Sequence, residues 1–276
     1  MKKSQDQRWT EEEIKSLEEN YLDYTLQEFK EEFMPYRTEI SIRNKAQRLG
    51  LKKKRGGVRK YDVNLDFFDE LNSESSYWLG FIAADGSVQK QAGYKSKSLQ
   101  IYLSYKDKNH LLKLKEELSE HPLKERENNG SKMVSYTVTS NRLVEQLEEF
   151  GIVPRKTKKL DFPSIPSEYI RDFVRGYIDG DGSISIHKRK KGNTRLILRI
   201  IGNKQFLEEL HRVIKNKADI NPNSKVRKES NADIHSINYS GRSYVPDIMR
   251  WIYYDGCVCL NRKREKWQKY KEQEIS

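Results

Sequence analysis

Two aspartates stand in matched settings. Asp85 closes the run Trp78-Leu79-Gly80-Phe81-Ile82-Ala83-Ala84, Asp181 closes Val174-Arg175-Gly176-Tyr177-Ile178-Asp179-Gly180, and a glycine follows each. Each run reads as an apolar helix, so each acid falls at the negative end of a helix dipole, where a carboxylate is disfavoured by roughly 0.3–1 kcal/mol. Gly80 and Ala84, and likewise Gly176 and Gly180, are small residues four apart. Such a stripe lets two helix backbones approach closely. Packed together, the helices bring Asp85 and Asp181 face to face near a pseudo-twofold axis, with Gly86 and Gly182 free to take the left-handed turn that ends a helix. Two carboxylates at two negative helix ends repel, and one is expected to hold its proton near neutrality. A hard divalent cation removes that penalty. Mg²⁺, with Mn²⁺ as substitute, binds through one or two carboxylates and completes its shell with water and phosphate oxygens. There it makes a water nucleophilic and stabilises the departing oxygen of a phosphodiester. The structural alternative is a pair of Asp-Gly helix ends with no chemistry.

The two acids are 96 residues apart (181 − 85), and the same offset maps Leu111 onto Leu207 and Leu114 onto Leu210. The halves are duplicated units, each running helix, strands, helix, strands, helix. After Asp85 come 98–105, 109–118, 135–139 and 142–150; after Asp181 come 184–187, 195–201, 205–214, 234–239 and 244–254. Leu99, Ile101 and Leu103 alternate with Gln100, Tyr102 and Ser104; Leu196, Leu198 and Ile200 alternate with Arg195, Ile197 and Arg199. One face of each sheet is apolar and the other polar, which fits an α+β fold of antiparallel sheets with helices packed on one side. The polar residues Gln100, Tyr102, Ser104, Arg195 and Arg199, with Lys188, Arg189 and Lys190 of the basic turn 187–193, are candidates to contact a DNA duplex.

Ahead of this core, residues 9–50 predict three short helices. Thr10 with Glu13, and Thr25 with Glu28, have the capping-box spacing, followed by Ile14, Leu17 and Tyr21 and by Leu26, Phe29 and Phe33. The third helix starts near Thr38, buries Ile42, Ala46 and Leu49, and stops at Gly50. Arg43, Asn44 and Gln47 then face outward. This arrangement, with Trp9-Thr10 before an acidic first turn, resembles a Myb-like or helix-turn-helix module. The resemblance implies a third helix lying in a major groove, where Arg suits guanine and Asn or Gln suits adenine. A basic linker follows, in which Lys53, Lys54 and Arg55 are candidate phosphate contacts.

Composition agrees with a polyanionic partner. The 276 residues carry a net charge of +12, and the mean hydropathy is −0.93. No apolar run approaches the ~18 residues of a spanning helix, and no secretory leader is evident, so neither a membrane partner nor export is expected. Cys257 and Cys259 match no disulfide framework or zinc pattern and read as packing residues of a reducing compartment. The expected location is cytoplasmic, in a prokaryotic or phage-infected cell.

From about residue 65 to 270 the chain resembles a single-chain LAGLIDADG homing endonuclease. Beyond the two nonapeptides, the likeness rests on Gly151-Ile152-Val153-Pro154-Arg155-Lys156-Thr157 leading through Phe162-Pro163 to the second motif, and on Leu260-Asn261-Arg262-Lys263. It implies a pseudo-twofold duplicated αββαββα core with saddle-like sheets. The expected organisation is a three-helix module over 1–50, a linker over 51–64, a first half over 65–165 and a second over 166–276. The resemblance implies site-specific hydrolysis of both DNA strands by a monomer. Asp85 and Asp181 would hold the metal ions, with the backbone carbonyls of Ala84 and Gly180 as further donors. Lys156 and Lys263 would act near the scissile phosphates; simple phosphate contacts or surface residues are the other readings. Ala83 stands where the motif carries an acid, whereas Asp179 keeps it and reads as a helix-end or supporting residue. Intron homing as part of a mobile element is the implied context, with no intein splicing residues in view. An RNA maturase acting on intron RNA and a non-cleaving DNA-binding regulator are the alternatives that share the fold.

Overall fold

The computed structural model describes residues 9–22, 24, 26–51, 61–90, 96–128, 130–188, 194–229, 234–241 and 243–275. Packing divides the chain into two units, Met1–Asp62 and Val63–Ser276. Among the described residues, no helix is long and apolar enough to cross a membrane.

In the first unit, α1 (Glu11–Asn20), α2 (Leu26–Phe33) and α3 (Glu39–Arg48) enclose a core of Leu17, Tyr21, Phe29, Met34, Ile42 and Ala46. The Thr10 hydroxyl accepts from the Glu13 amide while the Glu13 carboxylate accepts from the Thr10 amide, closing the expected capping box. The same carboxylate takes a two-bond ion pair from Arg37. Both bonds tie the start of α1 to the turn before α3. Thr38 caps α3, and Gly50 adopts φ +74°, the left-handed stop expected there. Thr25 and residues 52–60 of the linker, Lys53, Lys54 and Arg55 among them, lie outside the described residues.

The second unit repeats one plan. Its first half runs α4 (Ser73–Asp85), β1 (Gly86–Lys90), β2 (Lys97–Ser104), a 3₁₀ turn (Tyr105–Asp107), α5 (Lys108–Leu118), β3 (Lys124–Asn128), β4 (Ser131–Thr139) and α6 (Asn141–Glu149). After a 3₁₀ turn at Lys156–Lys158, its second half runs α7 (Ile170–Asp181), β5 (Gly182–Lys188), β6 (Thr194–Gly202), α8 (Lys204–Lys217), β7 (Arg227–Lys228), β8 (His235–Ser240), α9 (Tyr244–Ile252) and a closing α10 (Asn261–Ile275). The antiparallel sheets have the orders β1-β2-β4-β3 and β5-β6-β8-β7. Three strands exceed the expectation. β1 was hidden by its shortness and mixed polarity, and the edge strands β3 (Lys-Glu-Arg-Glu-Asn) and β7 (Arg-Lys) have no apolar alternation to reveal them. Charged edge strands of this kind discourage pairing with other chains.

The alternation elsewhere holds. Leu99, Ile101 and Leu103 are buried with Val134, Tyr136 and Val138; Leu196, Leu198 and Ile200 are buried with Ile237 and Tyr239. Cross-strand register sets Ser87, Gln100 and Thr137 together on the polar face of one sheet, and Ser183, Arg199 and Asn238 on that of the other.

α4 and α7 form the central helix pair. α4 is apolar on every side, with Ser75 through Ala83 all buried, as befits a helix enclosed by protein. The contact is reciprocal: a Cβ on Gly80 would overlap the Phe173 carbonyl oxygen, and one on Gly176 would overlap that of Tyr77. Phe173 lies 96 residues after Tyr77, as Gly176 does after Gly80, so each helix presents the same patch to the other. That self-complementarity defines a twofold relation within one chain.

Candidate active site

α4 and α7 end side by side, and the geometry there is set by the glycine after each acid. Gly86 and Gly182 are extended, with φ/ψ of −77°/152° and −90°/152°, so the left-handed turn expected of them is not made. Glycine is required for a different reason. A Cβ on Gly86 would sit 2.6 Å from the Ile82 carbonyl oxygen, and one on Gly182 would overlap the Ile178 carbonyl. The chain thus passes from helix to strand with no intervening loop, and β1 and β5 begin at the residue after each acid.

Asp85 and Asp181 are brought together as the sequence predicts. A Cβ on Gly180 would strike that of Ala84 and lie 3.5 Å from Asp85 Oδ2. Asp85 is exposed and Asp181 half-buried, yet the surrounding protein displaces enough water to push both carboxyls upward. Asp181 rises to about 6, from burial first and the charge of Asp85 second. Burial raises Asp85, opposed by Lys263, Lys156 and Arg262. Paired carboxylates in a confined site respond in this way. A cleft of about 390 Å³ borders Asp181, lined by Gly180, Gly182, Ser183, Arg199 and Ile201. A larger cavity, at Asn223, Lys225, Arg227, Asn238 and Tyr244, lies elsewhere on the second half, and Asp181 is not part of its lining.

The two lysines are buried, 8% and 2% exposed, which removes the surface-residue reading. Lys156 Nζ donates to the carbonyls of Ala84 (3.1 Å) and Gly86. Lys263 Nζ donates to those of Ile178 (2.7 Å), Asp179 (2.6 Å), Gly180 (3.3 Å) and Gly182. Those of Ala84, Asp179 and Gly180 are carbonyls of a helix's last turn, which a cation satisfies while opposing the dipole; Ile178 also accepts from the Gly182 amide, and Gly86 and Gly182 open the strands. The carbonyls of Ala84 and Gly180, expected to serve as metal donors, already accept from these ammonium groups. Burial lowers the pKa of both lysines, Lys263 to about 8, and the acids oppose that fall.

The charges cross between halves. Of the cations near Asp85, Lys263 does most to hold its carboxyl down; of those near Asp181, Lys156 does most. Each lysine caps the helix of its own half while its charge reaches both acids, and Lys263 also feels Asp179 of its own half.

Supporting groups differ around the two acids. The Tyr177 hydroxyl donates to the Ile201 carbonyl (3.0 Å) and lies near enough to Asp181 to favour its carboxylate; 96 residues earlier stands Phe81. Asp179, wholly buried, accepts from the Tyr77 hydroxyl (2.9 Å), the Tyr253 hydroxyl (2.6 Å) and the Leu260 amide (2.7 Å). It anchors the segment before Lys263, as a supporting residue would. Arg262 is held by Asp107 at 3.0 Å. Motif reading missed Tyr177, Asp107 and Arg262, although the 96-residue offset relates Asp107 to Asn203.

The proposed duplex-contacting residues fall on the polar sheet faces. Tyr102 is exposed, with its hydroxyl 3.4 Å from Gln100 Oε1. Arg199 pairs with Glu229 at 2.8 Å and Arg195 donates to the Ser240 hydroxyl, so both guanidiniums are already engaged. Lys188 lies in β5; its side chain, Arg189 and Lys190 lie outside the described residues. In the first unit, Arg43, Asn44 and Gln47 are exposed on α3.

The stretch 168–248, from the approach to α7 into α9, matches the family described as LAGLIDADG-like domain. No curated protein sequence matches the chain. Solved structures similar to it include the LAGLIDADG homing endonuclease I-LtrWI bound to target DNA (12% identity, TM-score 0.48, 77% of this chain and 92% of that one). The LAGLIDADG meganuclease I-AabMI bound to uncleaved DNA is another (14%, 0.49, 73% and 90%). A third is I-SmaMI bound to uncleaved DNA target in the presence of calcium ions (16%, 0.45, 72% and 90%). The matched stretch contains Asp181, Tyr177 and Asn203; 96 residues before them stand Asp85, Phe81 and Asp107.

Proposed function

We propose that the chain is a site-specific DNA endonuclease that hydrolyses both strands of a duplex with divalent metal ions, Mg²⁺ for preference. The observation that carries this reading is the convergence of Asp85 and Asp181, one from each twofold-related half, at adjoining helix ends ringed by Lys156, Lys263 and Arg262. The donor set fits a hard cation: two carboxylates with raised pKa values and, among the described residues, no cluster of three His, Cys, Asp or Glu side chains. A shell that incomplete leaves positions for water and phosphate oxygens, as Mg²⁺ requires. When bound, the ion supplies an activated water and charge stabilisation at the leaving oxygen.

The protein's own residues do the rest. Asp85 and Asp181 hold positive charge on the axis, so two phosphates related by the same twofold are served alike. Lys156 and Lys263 neutralise the helix ends and set the positive field in which a phosphate is received. Gln100, Tyr102 and Ser104 on one sheet, and Arg195 and Arg199 on the other, offer groups to base edges and backbone. For the two arginines this entails exchanging Ser240 and Glu229 for DNA. The amino-terminal unit adds affinity by laying α3 in a major groove through Arg43, Asn44 and Gln47. Monomeric action follows from both acids being on one chain.

A pool of randomised duplexes with Mg²⁺, sequenced at the cut ends, tests the reading. Wild type is expected to give one family of double-strand breaks, reduced by at least about 1,000-fold in Asp85→Asn or Asp181→Asn. Tight duplex binding without scission in Mg²⁺ or Mn²⁺ sinks it in favour of a regulator; stimulation of intron RNA splicing without DNA cutting favours a maturase.

A further inference from the structure

Asp107 and Asn203 occupy the same place in the two halves, the residue before α5 and before α8. Neither spends its side chain only on its own half. Asp107 Oδ1 and Oδ2 both accept from Arg262 Nε at 3.0 Å, and Arg262 is the neighbour of Lys263 at the start of α10. A second bond runs beside it, from Lys113 Nζ of α5 to Asn261 Oδ1 (3.3 Å). Asn203 Nδ2 donates to the carbonyls of Leu160 (2.7 Å) and Thr157 (3.4 Å), which flank the turn bearing Lys156. Its Oδ1 meanwhile caps α8 at the Phe206 amide. The chemistry explains the choice at each site. A carboxylate is acceptor-only and suits a guanidinium, whereas an amide can accept from its own helix and donate to foreign carbonyls at once.

The connectivity is therefore crossed. The first half grips the segment carrying Lys263, which caps the second half's helix; the second half grips the segment carrying Lys156, which caps the first half's helix. We propose that Asp107 and Asn203 are positioning residues, each locking the opposite half's capping lysine in place so that neither acid can be served by its lysine unless both halves are folded and docked. The catalytic part of this rests on the endonuclease reading. Asp107 fixes the segment that carries Arg262 and Lys263, and Asn203 fixes the turn that carries Lys156, so each half holds in place a lysine that caps the helix end of the other.

Amide hydrogen exchange of the full chain tests the clasps without any DNA. The variants are Asp107→Asn, which removes the charge that holds Arg262, and Asn203→Asp, which keeps the cap on α8 but loses the donor. Asp107→Asn is expected to speed exchange in 260–264 by about tenfold and leave 156–160 unchanged; Asn203→Asp is expected to do the reverse. Acceleration confined to the mutated half, or none in either segment, overturns the proposal. On a duplex that wild type cuts, each variant should also slow scission, and full-rate cutting by both variants overturns the positioning role. A wild type that cuts nothing refutes the endonuclease reading instead, and the exchange result still decides the clasps.

Discussion

The surroundings of Asp85 and Asp181 share a backbone and differ in chemistry. Each acid ends a central helix, precedes an extended glycine and lies by a buried lysine that caps helix carbonyls. Around Asp85 the additional groups are Arg262 and Asp107; around Asp181 they are the Tyr177 hydroxyl and the Arg199 side of a cleft. Lys156 reaches two carbonyls and Lys263 four. Asp179, with no acid at the matching Ala83, explains part of that imbalance, since it draws in Leu260 and the start of α10. Close backbone packing thus tolerates almost no variation, whereas the groups a shell away can diverge while the two acids still meet. A two-carboxylate site needs symmetry in position; its charge environment can be uneven.

The symmetric part fails first under mutation. Gly80→Ala and Gly176→Ala each drive a methyl into a backbone carbonyl of the other helix, and each should cost about 3–5 kcal/mol by denaturant unfolding. Similar losses from the two express the twofold relation; a gap wider than the smaller loss argues against it. The asymmetric part shows next in the lysines. Lys263→Met removes a buried donor shared by four carbonyls and should cost about 3 kcal/mol, against about 2 for Lys156→Met, whose donor serves two. Equal costs would mean that the extra carbonyls add nothing.

Asp181 gives a pH signature. An aspartate at 3.8 in the unfolded chain and about 6 in the folded one binds more protons when folded, so it weighs against folding above pH 6 and not below pH 4. Asp181→Asn should therefore raise stability by about 1–2 kcal/mol at pH 7.5, with the gain vanishing at pH 3.5. Thermal melts at the two pH values check it, and Asp85→Asn should shift them in the same direction. The smallest effect belongs to Tyr177→Phe, which makes this position match Phe81. Losing a hydroxyl that favours the carboxylate should lift the Asp181 pKa by about half a unit, read from its carboxyl carbon resonance during titration.

Much of the fold could be read from residue pattern. Capping-box spacing located α1, period-two alternation located β2 and β6, and the 96-residue offset exposed the duplication, because each signal is local or repeats at fixed distance. β3 and β7 escaped because their residues are charged and their strand state is imposed by pairing with β4 and β8. In the site, Asp85 and Asp181 were legible because motif and offset agree. The roles of the lysines were not, because a lysine in sequence has no stated partner. Nor did the pattern distinguish a glycine needed for a left-handed turn from one needed because a carbonyl passes where Cβ would be.

Residue order alone therefore carries the repeat, the helix that ends in each acid, and the small-residue stripe that lets two such helices meet. These arise from side-chain size, polarity and period, which are properties of the chain. Which half each cation serves is settled by the folded arrangement. It depends on where segments 70 or more residues away return, Lys156 to Ala84 and Gly86, Lys263 to Gly182, Arg262 to Asp107. Charge acts through space and burial, and neither is written in spacing along the chain.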